Sequence, residues 1–126
     1  GETIGTATPD RVKKVWQACL AETDAASLAG HFHNTYGMAI ANIYQSLEQG
    51  IRVFDSSIAG LGGCPYAKGA SGNISTEDLY SLLSNMGYDT GIDLDALMIA
   101  SQNISQVLQR TNPSNYANAY WQKRCA

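Results

Sequence analysis

Two clusters of side chains in this 126-residue chain could do chemistry. The first is His31-Phe32-His33. Residues i and i+2 of a strand point to the same side, so in a strand both imidazoles face one way. Two imidazoles converging at a strand end are natural ligands for a divalent metal. Taken alone, the pattern also fits two histidines that are merely hydrogen-bonded. The second cluster is Gly60-Leu61-Gly62-Gly63-Cys64-Pro65-Tyr66-Ala67-Lys68-Gly69-Ala70-Ser71-Gly72-Asn73. A loop this rich in glycine can bring its backbone against a ligand or fold down as a lid. It leads into a helix N-terminus, a place that suits anions. Cys64, between Gly63 and Pro65, has no packing duty there, and a reactive role would require tuned thiol acidity and access. A surface loop with an incidental cysteine has the same composition, so the residues alone leave both readings open.

The elements that must position these clusters follow from hydrophobic spacing. Thr8-Pro9 starts a helix, with Thr8 as its cap and Pro9 at the first position, where no amide hydrogen is needed. Val12, Val15, Trp16, Cys19 and Leu20 then form one apolar stripe. Residues 27–33 read as a strand. A second helix carries Ile40, Ile43, Tyr44 and Leu47 on one face and stops at Gly50. Residues 51–54 resemble a buried strand that ends in Asp55-Ser56-Ser57. Residues 59–72 are a loop, predicted to be among the most mobile segments. Ser75-Thr76-Glu77-Asp78 opens a third helix in near-capping-box fashion, with Leu79, Leu82, Leu83 and Met86 apolar and Gly87 ending it. A further helix runs from Asp93 to about Arg110. Asn112-Pro113-Ser114 breaks it, leaving residues 111–126 as a C-terminal tail.

Strands alternating with helices of this length imply βαβ units and a parallel sheet, an α/β fold. Two whole strands and the end of a third would leave hydrophobic faces and edges bare, which native domains avoid. A (β/α)8 barrel takes roughly 250 residues. The expectation is therefore that the chain is a piece of a larger domain, the rest either lost or supplied by another chain; the resemblance given below makes residues 1–110 the C-terminal part of a (β/α)8 barrel. The C-terminal mouth of a barrel strand, where His31 and His33 are predicted to sit, is where such barrels keep their active sites.

Composition narrows the classes. The charged share is 15% and the net charge −3, which gives no basic footprint for nucleic acid. No run approaches the ~18 apolar residues of a membrane span, and no signal peptide opens the chain. Cys19, Cys64 and Cys125 are odd in number and far apart, which points to a reducing compartment rather than a disulfide framework.

The stretch from Ser57 to Asn73, with Ser57-Ile58-Ala59 leading into the glycine loop, closely resembles the active-site signature of hydroxymethylglutaryl-CoA lyases. The likeness continues through Thr76-Glu77-Asp78-Leu79. Upstream, His31-Phe32-His33-Asn34-Thr35-Tyr36-Gly37 with Ala39 and Ala41-Asn42 is similar to that family's seventh strand and helix. Glu2-Thr3-Ile4-Gly5 matches the end of its sixth strand. The resemblance spans about residues 2 to 97 and fades beyond Arg110.

Carried over residue by residue, the resemblance implies that His31, His33 and Asn73 bind a divalent cation, magnesium or manganese. Cys64 matches the catalytic cysteine, a proton shuttle at the acetyl-CoA carbon. Gly62 and Gly63 belong to the substrate-binding loop or lid, and Glu2 stands where the family usually has a substrate-orienting aspartate. Asn34 replaces another frequent aspartate, although related isopropylmalate and citramalate synthases carry H-x-H-N. The implied reaction is cleavage of 3-hydroxy-3-methylglutaryl-CoA to acetyl-CoA and acetoacetate, as in leucine degradation and ketone-body metabolism. The implied setting is a homodimer in a bacterial cytoplasm or a mitochondrial matrix, with an acyl-CoA as substrate and neither nucleic acid nor membrane as partner. The family's remaining aspartate ligand and catalytic arginine come from a first barrel strand not found in these residues, so the isolated chain is expected to be inactive. Two alternatives are a Claisen-type synthase joining an acyl-CoA to a 2-oxo acid, and a non-catalytic barrel fragment. The Cys64 loop argues against the first, and retention of His31, His33, Cys64 and Asn73 against the second.

Overall fold

A computed structural model of the chain describes residues 4–63 and 72–125, the side chain of Cys125 excepted. They fall into two compact units, Gly1–Ser56 with Gly62–Ile74, and Ser57–Leu61 with Ser75–Ala126. The third strand end expected near Glu2 lies outside the described residues. Among the described residues no helix is long and apolar enough to cross a membrane.

The first unit contains α1 (Pro9–Leu20), β1 (Ala29–His31), α2 (Ala39–Glu48) and β2 (Val53–Asp55). The strands are parallel, pairing Ala29 with Val53, Gly30 with Phe54 and His31 with Asp55. The predicted strand–helix–strand order is therefore observed. β1 is shorter than residues 27–33, because a 3-10 turn at Ala25–Ser27 precedes it and the ladder ends where β2 ends. Gly30 must be glycine: a Cβ there would lie 2.8 Å from Phe32 Cε2 and 2.9 Å from Phe54 Cδ1, since both rings close over it. The opposite face carries Ala29, His31, Val53 and Asp55, all exposed. Of residues 51–54, predicted as a buried strand, Ile51 is buried, Phe54 is half-buried and Val53 is 52% exposed.

Pro9 occupies the first turn of α1 as predicted, but the Thr8 side chain makes no capping bond. Val12 and Trp16 are buried while Val15 is exposed, so the stripe is narrower than its apolar residues suggest. On α2 the buried face is Ala39, Asn42, Ile43, Ser46 and Leu47. Tyr44, expected inside, is exposed. The face includes polar residues because each is bonded. Trp16 Nε1 donates to Ser46 Oγ at 2.7 Å, and Ser46 Oγ donates to the Asn42 carbonyl at 2.7 Å. Asn42 Nδ2 donates to the Ala7 carbonyl at 3.0 Å. These bonds offset most of the cost of burial, while Asn42 Oδ1 is buried without a hydrogen-bond partner.

The second unit contains α3 (Thr76–Asn85), α4 (Leu94–Val107) and α5 (Asn115–Cys125). Ser75 caps α3, its hydroxyl accepting from the Asp78 amide at 3.2 Å and donating to the Asp78 carboxylate at 2.8 Å. Of the four apolar residues predicted on its inner face only Leu79 is buried, and Met86 is exposed. Asp93 caps α4 by accepting from the Ala96 amide at 3.0 Å. The segment read as a tail is helical from Asn115. Its apolar side chains form no one-sided stripe, so the pattern hid it. Asp78 anchors its start, accepting from Ser114 Oγ and from the Tyr116 amide, both at 2.9 Å. Near its end Tyr120 donates to Asp95, and Arg124 lies beside that carboxylate; both hold the Asp95 pKa below its ordinary value.

Glu77 ties this unit together. It is fully buried. Its oxygens accept from the Ala59 amide at 3.0 and 3.1 Å, from Ser101 Oγ, and from Asn112 Nδ2 at 3.4 Å. Ala59 has φ 53°, a left-handed conformation rare outside glycine. Arg110 Nη2 donates to its carbonyl at 3.0 Å. Read as the start of an open loop, Ala59 and Gly60 are in fact buried. Glu77→Ala would strand two buried donors, the Ala59 amide and Ser101 Oγ, each costing about 1–3 kcal/mol. We expect a loss of about 3 kcal/mol or more, read as a lowered urea midpoint, with Glu77→Gln losing less.

Candidate functional site

The end of β1 carries the two histidines. His31 is the last residue of the strand and its side chain is 50% exposed. His33 is buried. Their ring centroids are 5.3 Å apart, with planes at 87°. The pair therefore forms one edge-to-face cluster, as expected of side chains at i and i+2.

Beyond the ladder the chain finds a different partner. His33 forms an antiparallel bridge with Asn73. On either side of it, the Ile74 amide donates to the Phe32 carbonyl at 3.1 Å and the Asn34 amide donates to the Gly72 carbonyl at 3.3 Å. The exit of the glycine loop is thus stitched to the histidine segment by backbone bonds. This fixes Asn73 beside His33 whatever its side chain does. Asn73 Oδ1 is buried.

The entry of the loop meets the same asparagine. Gly62 has φ +94°, and a Cβ at that position would lie 2.8 Å from Asn73 Nδ2. Glycine is required there twice, for its backbone conformation and for the room it leaves. Gly62 and Gly63 are themselves exposed. Cys64 and Glu2, the other two residues singled out from the sequence, lie outside the described residues, as does the loop over 64–71.

Two polar residues near the histidines have definite partners. Asn34 Oδ1 accepts from the Ala39 amide at 3.2 Å and so serves the first turn of α2. Asparagine or aspartate could supply that oxygen. Asp55 was not singled out from the sequence. Its Oδ2 lies 3.1 Å from His31 Nδ1. The signal that could have found it is the parallel register, which pairs His31 with Asp55 at the end of both strands.

Two imidazoles and an amide oxygen make a mixed nitrogen and oxygen donor set. It suits manganese or magnesium better than zinc. The residues at this end of the sheet therefore fit a divalent cation chemically, with further oxygen donors needed to complete its shell.

A family model described as HMGL-like matches residues 1–104. The chain belongs to the HMGL-like family. Hydroxymethylglutaryl-CoA lyase of Pseudomonas mevalonii is 53% identical over 114 residues, which are 90% of this chain and 38% of that protein. The crystal structure of the hydroxymethylglutaryl-CoA lyase from Pseudomonas aeruginosa matches with a TM-score of 0.90 at 51% identity, over 96% of this chain and 40% of that one. An HMG-CoA lyase from Acinetobacter baumannii, solved with coenzyme A and 3-methylmalate, matches with a TM-score of 0.88 at 44% identity, over 93% and 38% of the two chains. Similar lyases include bacterial, cytoplasmic and mitochondrial proteins. The chain spans about two fifths of the length of these relatives. The fold is the C-terminal part of the family's (β/α)8 barrel. In such a barrel a strand face not covered by helices points inward.

Gly62→Ala tests the contact between loop entry and exit. We expect the side-chain amide resonances of Asn73 to shift while those of α2 stay in place. Forcing a Cβ onto a left-handed backbone should also cost about 1–2 kcal/mol, read from the denaturation midpoint.

Proposed function

We propose that this chain forms the cation- and cysteine-bearing part of a carbon–carbon lyase that splits 3-hydroxy-3-methylglutaryl-CoA into acetyl-CoA and acetoacetate. The observation that carries this reading is the meeting of His31, His33 and Asn73 at one end of the parallel pair. Asn73 stands at the exit of the loop that holds Cys64 and is bridged to His33, in a chain about half identical to lyases of that name. In this reading His31, His33 and Asn73 hold magnesium or manganese. When bound, such a cation acts as a Lewis acid, easing loss of the tertiary hydroxyl proton and polarising the carbonyl that forms.

The chain's own residues have the complementary task. When a general base takes the hydroxyl proton and the carbon–carbon bond breaks, the electron pair of that bond passes to the acetyl-CoA carbon as an enolate. The Cys64 thiol donates a proton to that carbon, giving acetyl-CoA, and the thiolate is reprotonated before the next turnover. Gly62 and Gly63 let the loop backbone approach the acyl-CoA. Glu2 orients the substrate from the preceding strand end. A homodimer in a reducing compartment, bacterial cytoplasm or mitochondrial matrix, completes the reading, with leucine breakdown as its metabolic setting.

The test is a chimera in which this sequence replaces the matching 114-residue stretch of the Pseudomonas mevalonii relative. It should cleave 3-hydroxy-3-methylglutaryl-CoA in the presence of magnesium or manganese. Cys64→Ser should leave substrate affinity nearly intact and lower turnover ~10²–10⁴-fold. Cys19→Ser and Cys125→Ser should be close to neutral. Turnover by Cys64→Ser within a few-fold of the parent would assign the proton to another group. A folded chimera without lyase activity would contradict the proposal, and activity of the 126 residues alone would contradict the need for further strands.

A further inference from the structure

We propose that Asp55 is a positioning residue for the cation site, accepting the Nδ1 hydrogen of His31 and thereby presenting Nε2 as the ligating atom. The inference rests on the cation reading proposed above. In the parallel ladder His31 and Asp55 are direct partners and end their strands together, so both side chains leave the same face. His31 Nδ1 and Asp55 Oδ2 are 3.1 Å apart. A carboxylate oxygen can only accept, so the ring nitrogen it faces must carry the hydrogen. In a neutral imidazole the other nitrogen then holds the lone pair. The tautomer and the direction of the ring are set by one contact.

Stability does not explain the pair. The two side chains are 50% and 64% exposed, and exposed ion pairs add little to folding. Orientation does explain it. A histidine that ligates a metal typically gives its second ring hydrogen to a carboxylate or carbonyl, which fixes the ring and raises its basicity. His33 is held differently, by burial and by the backbone bridge to Asn73. His31 stands at the exposed end of its strand, where a side-chain partner is the means of holding the ring.

The experiment compares Asp55→Ala, Asp55→Asn and His31→Ala in the assembled barrel enzyme, with two readouts. Long-range proton–nitrogen correlation on nitrogen-15 histidine reports the His31 tautomer, and Mn2+ titration followed by electron paramagnetic resonance reports cation affinity. The parent should show His31 with its hydrogen on Nδ1. Asp55→Ala should lose that preference and bind Mn2+ about 10–100-fold more weakly, at an unchanged melting midpoint. Asp55→Asn, whose side-chain oxygen still accepts, should keep the tautomer and most of the affinity. If His31→Ala weakens Mn2+ binding while Asp55→Ala does not, the role of Asp55 is overturned and the cation reading stands. If His31→Ala also binds Mn2+ like the parent, the cation reading itself fails.

Discussion

The register between Ala29–His31 and Val53–Asp55 decides what this part of the barrel can do. Because side chains alternate along a strand, sliding β1 by one residue would send His31 and Asp55 to opposite faces. It would also bring Gly30 out from beneath Phe32 and Phe54, where no larger residue fits. The packing on one face therefore enforces the chemistry on the other. Two aromatic rings closing over one glycine hold the alignment that sets a histidine opposite a carboxylate. The backbone bridge from His33 to Asn73 then carries the same alignment across to the end of the glycine loop.

The loop itself is anchored at points distinct from its middle. At its exit, Gly72, Asn73 and Ile74 are tied to residues 32–34 by backbone bonds, which are insensitive to side-chain identity. Gly62 meets the Asn73 side chain. In the second unit, the buried Glu77 carboxylate holds the turn at Ile58–Gly60, with Ala59 in a left-handed conformation that Arg110 also braces. A non-glycine residue in that region persists only where its surroundings over-determine it. Glu77 and Arg110 are those surroundings.

Much of this was legible in the chain. The strand–helix–strand order, the histidine pair on one side of a strand, the capped start of α3 at Ser75, the helix start near Asp93 and the turn at Gly50 all follow from local rules, and local rules suffice where backbone chemistry decides. Other features escaped because they depend on partners distant in sequence. Asn42 and Ser46 look like surface residues until Trp16 and Ala7 are brought to them. Tyr44 and Val15 look like core residues until the helix faces turn out to be set by those polar contacts. Glu77 reads as an ordinary first-turn carboxylate, yet it is buried because Ala59, Ser101 and Asn112 converge on it. α5 carries no amphipathic stripe and is visible only through its contacts with Asp78 and Asp95. Asp55 could be found only from a strand register, which spacing along a single sequence does not reveal.

The central claim is that one divalent cation is held jointly by His31, His33 and Asn73. The most direct measurement is a crystal of the assembled enzyme grown with Mn2+, with diffraction recorded on either side of the manganese absorption edge. One strong anomalous peak is expected at the end of β1, in coordination contact with a ring nitrogen of each histidine and with Asn73 Oδ1. A peak bound elsewhere, or one that leaves either imidazole outside its coordination shell, would contradict it.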